Sequence, residues 1–183
     1  PTNQIKKNEK KNIILKSYEP IRDEKSLDKW IKILEEKEVI AVDTETDSLN
    51  PLEANLVGVS FSYSPNKACY IPIAHKEKGL KKEIVLKKIK SILEDPSIKK
   101  VGQNIKFDFT VLKQNGINIE PIEDTMLLSY TLDAGLNRHN MDTLSEIHLG
   151  HKPISFKDLV GSGKNKLKFD DIEIKKATEY AAE

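Results

Sequence analysis

The chain has 183 residues, of which 38% are hydrophobic and 32% are charged, with a formal net charge of +1. This length and composition are typical of one globular domain with its own core, and they exclude a uniformly basic nucleic-acid-binding protein. Any contact with nucleic acid must therefore come from local patches. The single cysteine, Cys69, excludes an intrachain disulfide and is expected in the core. We find no signal peptide and no apolar run of membrane-spanning length, which favours a cytoplasmic protein without membrane contact.

Residues 1–12 are polar and rich in lysine, which predicts a flexible linker ahead of a folded domain at residues 13–183. The spacing of apolar residues predicts a helix over 23–36, followed by three strands with short links within 39–73. Further elements are predicted as a strand at 98–101 and helices over 80–94, 104–115, 124–132, 141–149 and 172–182. A meander followed by alternating strands and helices indicates an α/β fold, in which helices flank a mixed sheet.

Two carboxylates end the first predicted strand, where an apolar run from Val39 leads into Asp43 and Glu45. Because side chains alternate along a strand, both carboxylates point to the same face. Neighbouring carboxylates repel each other unless a positive charge lies between them, and hard oxygen ligands suit Mg²⁺ or Mn²⁺. The alternative is a strand that simply turns polar at its end, which is the more common origin of so short a motif.

Asp108 and Tyr180 are the other residues with candidate chemistry. Asn104 and Asp108 are four residues apart in a predicted helix and would share one of its faces, which makes Asp108 a candidate third carboxylate. An exposed helical aspartate is the alternative. Tyr180 lies in the last predicted helix, where a tyrosine can also serve only in packing.

These residues together form a recognisable set. Asp43-Thr44-Glu45, the Asn104-to-Asp108 spacing and Tyr180-Ala-Ala-Glu183 resemble, in order and spacing, the three motifs of the 3′–5′ proofreading exonuclease domain of bacterial DNA polymerase I, the family A or Klenow type. The stretches 43–49, 54–58, 101–104, 138–144 and 163–165 also resemble that domain. The resemblance extends from about Ile13 to the C-terminus. It implies an RNase H-like fold with a mixed five-stranded sheet flanked by helices.

The resemblance also implies phosphodiester hydrolysis with two divalent ions. Asp43 matches the ligand that bridges both ions, and Glu45 matches the ligand of one ion that helps to orient the attacking water. Asp108 matches the ligand of the other ion, and Tyr180 matches the tyrosine that positions the nucleophile. The family's third motif places an Asp four residues after this tyrosine, at a position that follows Glu183. The sequence as given is therefore expected to be truncated just before that Asp and to be a poor enzyme.

Contacts with a single-stranded DNA 3′ end are implied as well. Leu49 matches a leucine that wedges between the terminal bases, and Phe156 matches an aromatic residue that stacks near the frayed end. The polar surroundings that hold the phosphates are matched by Gln103, Asn104, Lys106 and Arg138. Core packing is the alternative for the two apolar residues. Solvated surface charge is the alternative for the lysine and the arginine.

The expected activity is release of deoxynucleoside monophosphates from single-stranded or frayed 3′ ends by a proofreading domain. The resemblance implies a monomer, cytoplasmic and associated with the nucleoid, whose polymerase domain follows in the same chain. Two alternatives stay open. An exoribonuclease of the RNase D type shares the three motifs, and a degenerate exonuclease-like scaffold would serve only as a spacer.

Two further patterns are similar to ligand sites. The stretch from Gly161 to Asn165 is similar to a phosphate loop but lacks the required Ser or Thr at its end. His148 and His151 are three residues apart, but no cysteine cluster or close third ligand supports a zinc site. Both patterns are therefore interpreted as ordinary surface sequence.

Overall fold

The computed structural model describes residues 18–163 and 166–183. These residues form a mixed six-stranded sheet with the order β1-β4-β3-β2-β5-β6. Its strands are β1 (Glu19–Pro20), β2 (Val39–Thr46), β3 (Leu56–Ser64), β4 (Lys67–Pro72), β5 (Lys99–Gly102) and β6 (Ile122–Asp124). The predicted linker at 1–12 and the beginning of the domain at 13–17 lie outside the described residues.

The topology confirms the predicted meander and the mixed sheet. Strands β2, β3 and β4 pair antiparallel in succession, whereas β5 runs parallel to β2 and β6 runs parallel to β5. The sheet has six strands where five were expected, and neither β1 nor β6 was predicted from the residue pattern. These two strands have two and three residues, too few for an alternating pattern to show in the sequence.

Seven α-helices accompany the sheet in the described part of the chain. They are α1 (Glu24–Glu35), α2 (Lys82–Leu93), α3 (Lys106–Gln114), α4 (Thr125–Asp133), α5 (Met141–Leu149), α6 (Phe156–Val160) and α7 (Ile174–Ala181), with a 3-10 turn at Phe169–Asp171. Helix α1 begins where the sequence predicts a polar cap, because the Asp23 side chain accepts a hydrogen bond from the Ser26 N–H at 2.9 Å. The five-residue helix α6 was not predicted, since it is barely longer than one helical turn.

Two apolar clusters cover opposite faces of the sheet. Cys69 and Ile71 face the larger cluster, whereas Tyr70 between them faces the smaller one, as alternation along a strand requires. The larger cluster joins the sheet to α1, α2 and α3, and the smaller one joins it to α6, the 3-10 turn and α7. Cys69 is fully buried, as predicted. Among the described helices, none has the length and apolar character needed to cross a membrane.

Candidate active site

Strand β2 carries the first two candidate carboxylates in the interior of the sheet, between β3 and β5. The pairing register sets Asp43 opposite Ser60 and Glu45 opposite Gly58. Residues directly opposite each other in an antiparallel pair project to the same face. Tyr70 is in turn opposite Ser60 on β4, so both carboxylates lie on the face of the smaller apolar cluster.

Asp108 reaches the same strand from the first turn of α3. It is only 3% exposed, and its Oδ1 accepts two hydrogen bonds from Thr44, one from the backbone N–H at 2.8 Å and one from Oγ1 at 2.5 Å. Thr44 is the residue between the two β2 carboxylates. The fold therefore brings Asp108 to the two acidic residues of β2, although 64 positions separate it from Thr44 in the sequence.

The electrostatics of these three residues show that negative charge is costly here. Burial and the charge of Asp108 raise the pKa of Asp43 to about 8, and burial raises the pKa of Asp108 to about 6 against the opposing effect of the Thr44 hydrogen bonds. Burial and the charges of the other two carboxylates raise the pKa of Glu45 well above its usual value. Within the described residues, none of the three forms an ion pair with a Lys, Arg or His.

The donor chemistry of this cluster fits a hard divalent cation, since all its ligand atoms would be carboxylate oxygens. The present side-chain arrangement does not yet form a closed ligand set: no group of three or more His, Cys, Asp or Glu side chains within residues 18–163 and 166–183 is arranged to hold a metal ion. The two bonds from Thr44 engage one oxygen of Asp108. Cation binding would thus require the carboxylates to approach one another.

Tyr180 stands beside the carboxylates at the end of α7. Burial raises the pKa of its phenol, and the charges of Glu45 and Asp43 raise it further. Its ring packs between those of Phe156 and Phe169, with centroid separations of 6.2 and 6.1 Å. The structure therefore places a protonated phenol next to the acidic cluster.

Glu183 follows Tyr180 by three residues but has other partners. Its Oε1 accepts a hydrogen bond from His151 Nε2 at 2.8 Å, and its Oε2 accepts one from the Ile154 N–H at 2.5 Å. The carboxylate is 5% exposed and is fully engaged by these two donors. The contact also gives His151 a structural partner, in line with its interpretation as a residue outside any zinc site.

Asn104 differs from its predicted placement. Helix α3 begins at Lys106, and Asn104 precedes it with a φ of +56°, so the prediction that Asn104 and Asp108 share a helix face is wrong. The Asn104 N–H donates to Asp124 Oδ1 at 2.9 Å, and the same oxygen accepts from the Met126 N–H. This bond to a residue twenty positions away holds the loop in a left-handed conformation that asparagine tolerates.

Gln103 is committed to protein contacts at both ends of its side-chain amide. Its Nε2 donates to the His139 carbonyl at 2.7 Å, and its Oε1 accepts from Thr125 Oγ1 at 2.6 Å. Gln103 thereby connects the end of β5 with the beginning of α4 and with the loop that follows it. Its Nε2 keeps a second N–H that this bond does not use.

The remaining predicted substrate contacts lie at the surface. Leu49 is 93% exposed, so core packing is ruled out for it. Phe156 is 42% exposed and packs on one side against Tyr180. Lys106 and Arg138 are both exposed. These positions leave all four side chains accessible to a ligand.

Sequence reasoning missed three residues that shape the site. Thr44 lies inside the Asp43–Glu45 motif, where its donor groups and its position between two acids were an available signal. Tyr70 and His75 left no such signal, because their hydrogen bond at 2.7 Å depends on how β4 and the chain after it return toward the sheet.

Comparison with known proteins first defines the class. RNase D from Trypanosoma brucei superposes with a TM-score of 0.71 at 18% identity, covering 90% of this chain and 59% of that one. Together with the mixed sheet and its flanking helices, this likeness establishes an RNase H-like fold. At this level of identity, it identifies the fold alone.

The sequence comparisons then define the family. Residues 18–183 match the sequence model of the family described as 3′–5′ exonuclease. The chain is 42% identical over 188 residues to DNA polymerase I of Rhizobium leguminosarum and 44% identical over 173 residues to that of Pseudomonas aeruginosa, with 91% of the chain covered in each case. This chain belongs to the 3′–5′ exonuclease family. It spans about a fifth of the length of these relatives, namely 18% and 19%.

Proposed function

We propose that this domain is the metal-dependent proofreading exonuclease of a bacterial DNA polymerase I, which removes deoxynucleoside monophosphates from single-stranded or frayed 3′ ends. The observation that carries the proposal is the cluster of Asp43, Glu45 and Asp108, whose pKa values are raised by burial and which have no ion-pair partner among the described residues. Buried acids of this kind indicate a functional site. The DNA polymerase I relatives supply the substrate class.

In this proposal the three carboxylates hold divalent ions, Mg²⁺ or Mn²⁺. Such ions, when bound, lower the pKa of a water molecule and stabilise charge on the leaving oxygen. Asp43, Glu45 and Asp108 would supply the carboxylate oxygens that hold the ions. Thr44 fixes the orientation of Asp108 through its two hydrogen bonds. A further carboxylate four residues after Tyr180, in a longer chain, would complete the set.

Tyr180 acts in this proposal as a neutral hydrogen-bonding group. Its raised pKa keeps the phenol protonated at neutral pH, so that its oxygen can orient the attacking water without adding negative charge. Glu183 does not replace the carboxylate expected one turn beyond Tyr180, because His151 and the Ile154 N–H already engage it. Its role is to hold the end of α7 against the chain around His151.

Substrate binding is assigned to the exposed groups near the site. Leu49 would wedge between terminal bases, and Phe156 would stack on one of them, which suits an enzyme that must remove any base. Lys106 and Arg138 would neutralise phosphates, since both are exposed. Gln103 and Asn104 act by shaping the loop between β5 and α3. The proposal also includes a polymerase domain in the same chain, a monomeric state and association with the nucleoid.

The experiment compares end-labelled single-stranded DNA, matched duplex DNA, mismatched duplex DNA and single-stranded RNA as substrates. The protein is a version of this chain that continues for several native residues past Glu183, assayed with Mg²⁺, Mn²⁺ or EDTA. We expect metal-dependent shortening from the 3′ end, fastest on single-stranded DNA. Faster digestion of RNA would instead favour an activity of the RNase D type, and digestion in EDTA would contradict the metal site.

Two variants sharpen this test. Asp43→Asn should lower the rate by at least about a hundredfold, because it removes one of the three carboxylate ligands. The version that stops at Glu183 should be slower than the longer one by about the same factor, since misplacement of reacting groups by about 1 Å has an effect of this size. Equal rates for the two lengths would show that the extra carboxylate is dispensable.

A further inference from the structure

A buried tyrosine lies directly beside Glu45, on the face of the sheet that the smaller apolar cluster covers. Tyr70 is fully buried, and its hydroxyl occupies the space in which a Cβ of residue 58 would stand, 2.0 Å from the position that such an atom would take. Gly58 is the residue opposite Glu45 on β3. The Tyr70 hydroxyl and the Glu45 side chain are therefore neighbours on one face. Burial raises the pKa of Tyr70, and the charges of Glu45 and Asp43 raise it further.

His75 accepts a hydrogen bond from this tyrosine. The Tyr70 oxygen lies 2.7 Å from His75 Nε2, and His75 Nδ1 lies 3.0 Å from the carbonyl oxygen of Ile172. A carbonyl only accepts, so Nδ1 must carry the hydrogen and Nε2 must accept from Tyr70 in the neutral ring. The chain of donors thus runs from Tyr70 through His75 to Ile172, and the phenol proton is directed away from Glu45.

The segment around His75 also holds the beginning of α7. The Lys76 N–H donates to the Asp170 carbonyl at 3.0 Å, and Glu77 Oε2 accepts from the N–H of Ile174, the first residue of α7, at 3.1 Å. The residue before α7 provides no side-chain cap of its own, so Glu77 satisfies this helix end from outside. Helix α7 is therefore positioned by residues 75–77, and α7 carries Tyr180.

An unbroken row of rings leads from the sheet to the candidate substrate surface. Successive ring centroids are separated by 5.7 Å from Tyr70 to His75, 5.8 Å from His75 to Phe169, 6.1 Å from Phe169 to Tyr180 and 6.2 Å from Tyr180 to Phe156. We name these five residues the aromatic row. Because packed interiors do not deform freely, a change at one ring displaces the next.

We propose that His75 is a positioning residue for the exonuclease reaction, which sets the placement of the Tyr180 phenol relative to Glu45 by joining Tyr70 to the base of α7. His75 itself touches none of the candidate ligands in the described contacts. The expected change in kcat rests on the proposed function. The expected displacement of the Tyr180 ring does not, because it can be measured without any activity. Removing the two hydrogen bonds while keeping a ring should leave the fold intact and move Tyr180.

The kinetic test uses His75→Phe in the longer version of the chain, on single-stranded DNA at saturating Mg²⁺. We expect kcat to fall by about 10- to 100-fold with KM changed by less than about twofold, because a displaced Tyr180 affects the reacting geometry and not the binding surface. His75→Asn retains a donor near the Nδ1 position for Ile172 but loses the ring and the acceptor for Tyr70, so it should recover only part of kcat. Tyr70→Phe, which removes one hydroxyl and keeps its ring, should reproduce part of the loss.

The structural test needs no activity. The chain contains five tyrosines, so 3-fluorotyrosine labelling gives a small set of fluorine resonances, and Tyr180→Phe identifies the one of interest. We expect the Tyr180 resonance to shift or broaden in His75→Phe and to return toward the parent position in His75→Asn. This reports on Tyr180 even where the parent protein proves not to be a nuclease, so failure of the proposed function is recognised separately.

Asp23→Ala serves as the matched control for a general loss of stability. It removes the side-chain cap of α1, a helix of the other apolar cluster, and should lower the unfolding temperature without changing kcat or the Tyr180 resonance. An unchanged resonance and kcat in His75→Phe would overturn the positioning role. Equal losses of kcat in Asp23→Ala and His75→Phe at matched stability would overturn it too, because the effect would then be one of stability alone.

Discussion

Helices α1, α2 and α3 differ from helices α4 and α5 in how much of their surface they bury. Helices α1 and α2 each bury four residues and α3 buries three, whereas α4 and α5 bury none. We call residues 125–149 the α4–α5 arm. Its exposed large apolar side chains are Leu127, Leu128, Tyr130, Leu132, Leu136, Met141, Ile147 and Leu149. The first group stabilises the domain, and the arm depends on a few polar contacts.

This difference indicates which part of the chain stabilises the fold and which part can move more easily. The arm carries Arg138, and its described link to β5 includes the hydrogen bonds of Gln103 to His139 and Thr125. Segments with few buried apolar contacts open at low free energy. We therefore expect the arm to open at a lower free energy than the sheet, which keeps the carboxylates in register.

The largest expected effect compares the same substitution in the two groups. Leu34 of α1 is 1% exposed and Leu132 of α4 is 80% exposed. Leu34→Ala should lower the free energy of unfolding by about 2–5 kcal/mol through lost burial and a residual cavity, whereas Leu132→Ala should change it by less than about 0.5 kcal/mol. Urea titration followed by circular dichroism measures both. Similar losses for the two variants would mean that the arm belongs to the stabilising core.

The next effect concerns the acidic cluster of β2 and α3. Asp43 and Asp108 have pKa values raised to about 8 and about 6, from usual values near 4, so the folded state binds protons that the unfolded state has released. The metal-free protein should therefore lose unfolding free energy as the pH rises from about 5 to 8, through the folded-state pKa values of both groups. Thermal unfolding across this pH range, in EDTA, measures the slope.

Asp43→Asn provides the control for this slope, because it removes one of the repelling charges in a similar shape. The variant should show a flatter pH dependence and should exceed the parent in stability at pH 8 without metal. Saturating Mg²⁺ should stabilise the parent more than the variant. An equally steep slope in both proteins would show that the carboxylates are not the groups responsible.

The smallest effect concerns the hydrogen bonds between β5 and the arm. Gln103→Leu removes the bonds to His139 and Thr125 and should lower the global free energy of unfolding by about 1 kcal/mol or less. Amide hydrogen exchange should increase mainly within residues 125–149. Exchange that increases equally in β2 and in the arm would show that the two regions unfold as one unit and would remove the distinction between them.

The sequence predicts β2 and the longer helices of both groups well, because the signals there are local. Asp23 and the apolar spacing after it place α1 to within a residue of its observed bounds, and the run ending in Asp43 and Glu45 identifies β2. The predicted range of α5, 141–149, equals the observed one, since Gly150 ends it in a left-handed conformation. Periodicity gives no hint, however, that α5 remains unburied.

What the sequence did not predict depends on contacts between distant residues. Asn104 leaves the helix because Asp124 binds its N–H, and Gln103 turns inward because Thr125 and the His139 carbonyl lie within reach. The role of Thr44 as the partner of Asp108 likewise follows from the packing of α3 on β2. Such hydrogen bonds join separations of about 20 to 64 residues, over which no sequence period extends.

Because Gly58 has no side chain, it limits which substitutions this domain can accept during evolution. The phenol of Tyr70 fills the volume that a methyl group at position 58 would need, so neither position can enlarge alone. In a library that randomises both positions, we expect survivors to combine Gly58 with a tyrosine, or a larger residue at 58 with a smaller one at 70. Because His75 depends on the tyrosine hydroxyl, the second solution should select a non-histidine at 75 as well. Positions 58, 70 and 75 would then change together, and homologous domains could be classified by the residues at these three positions.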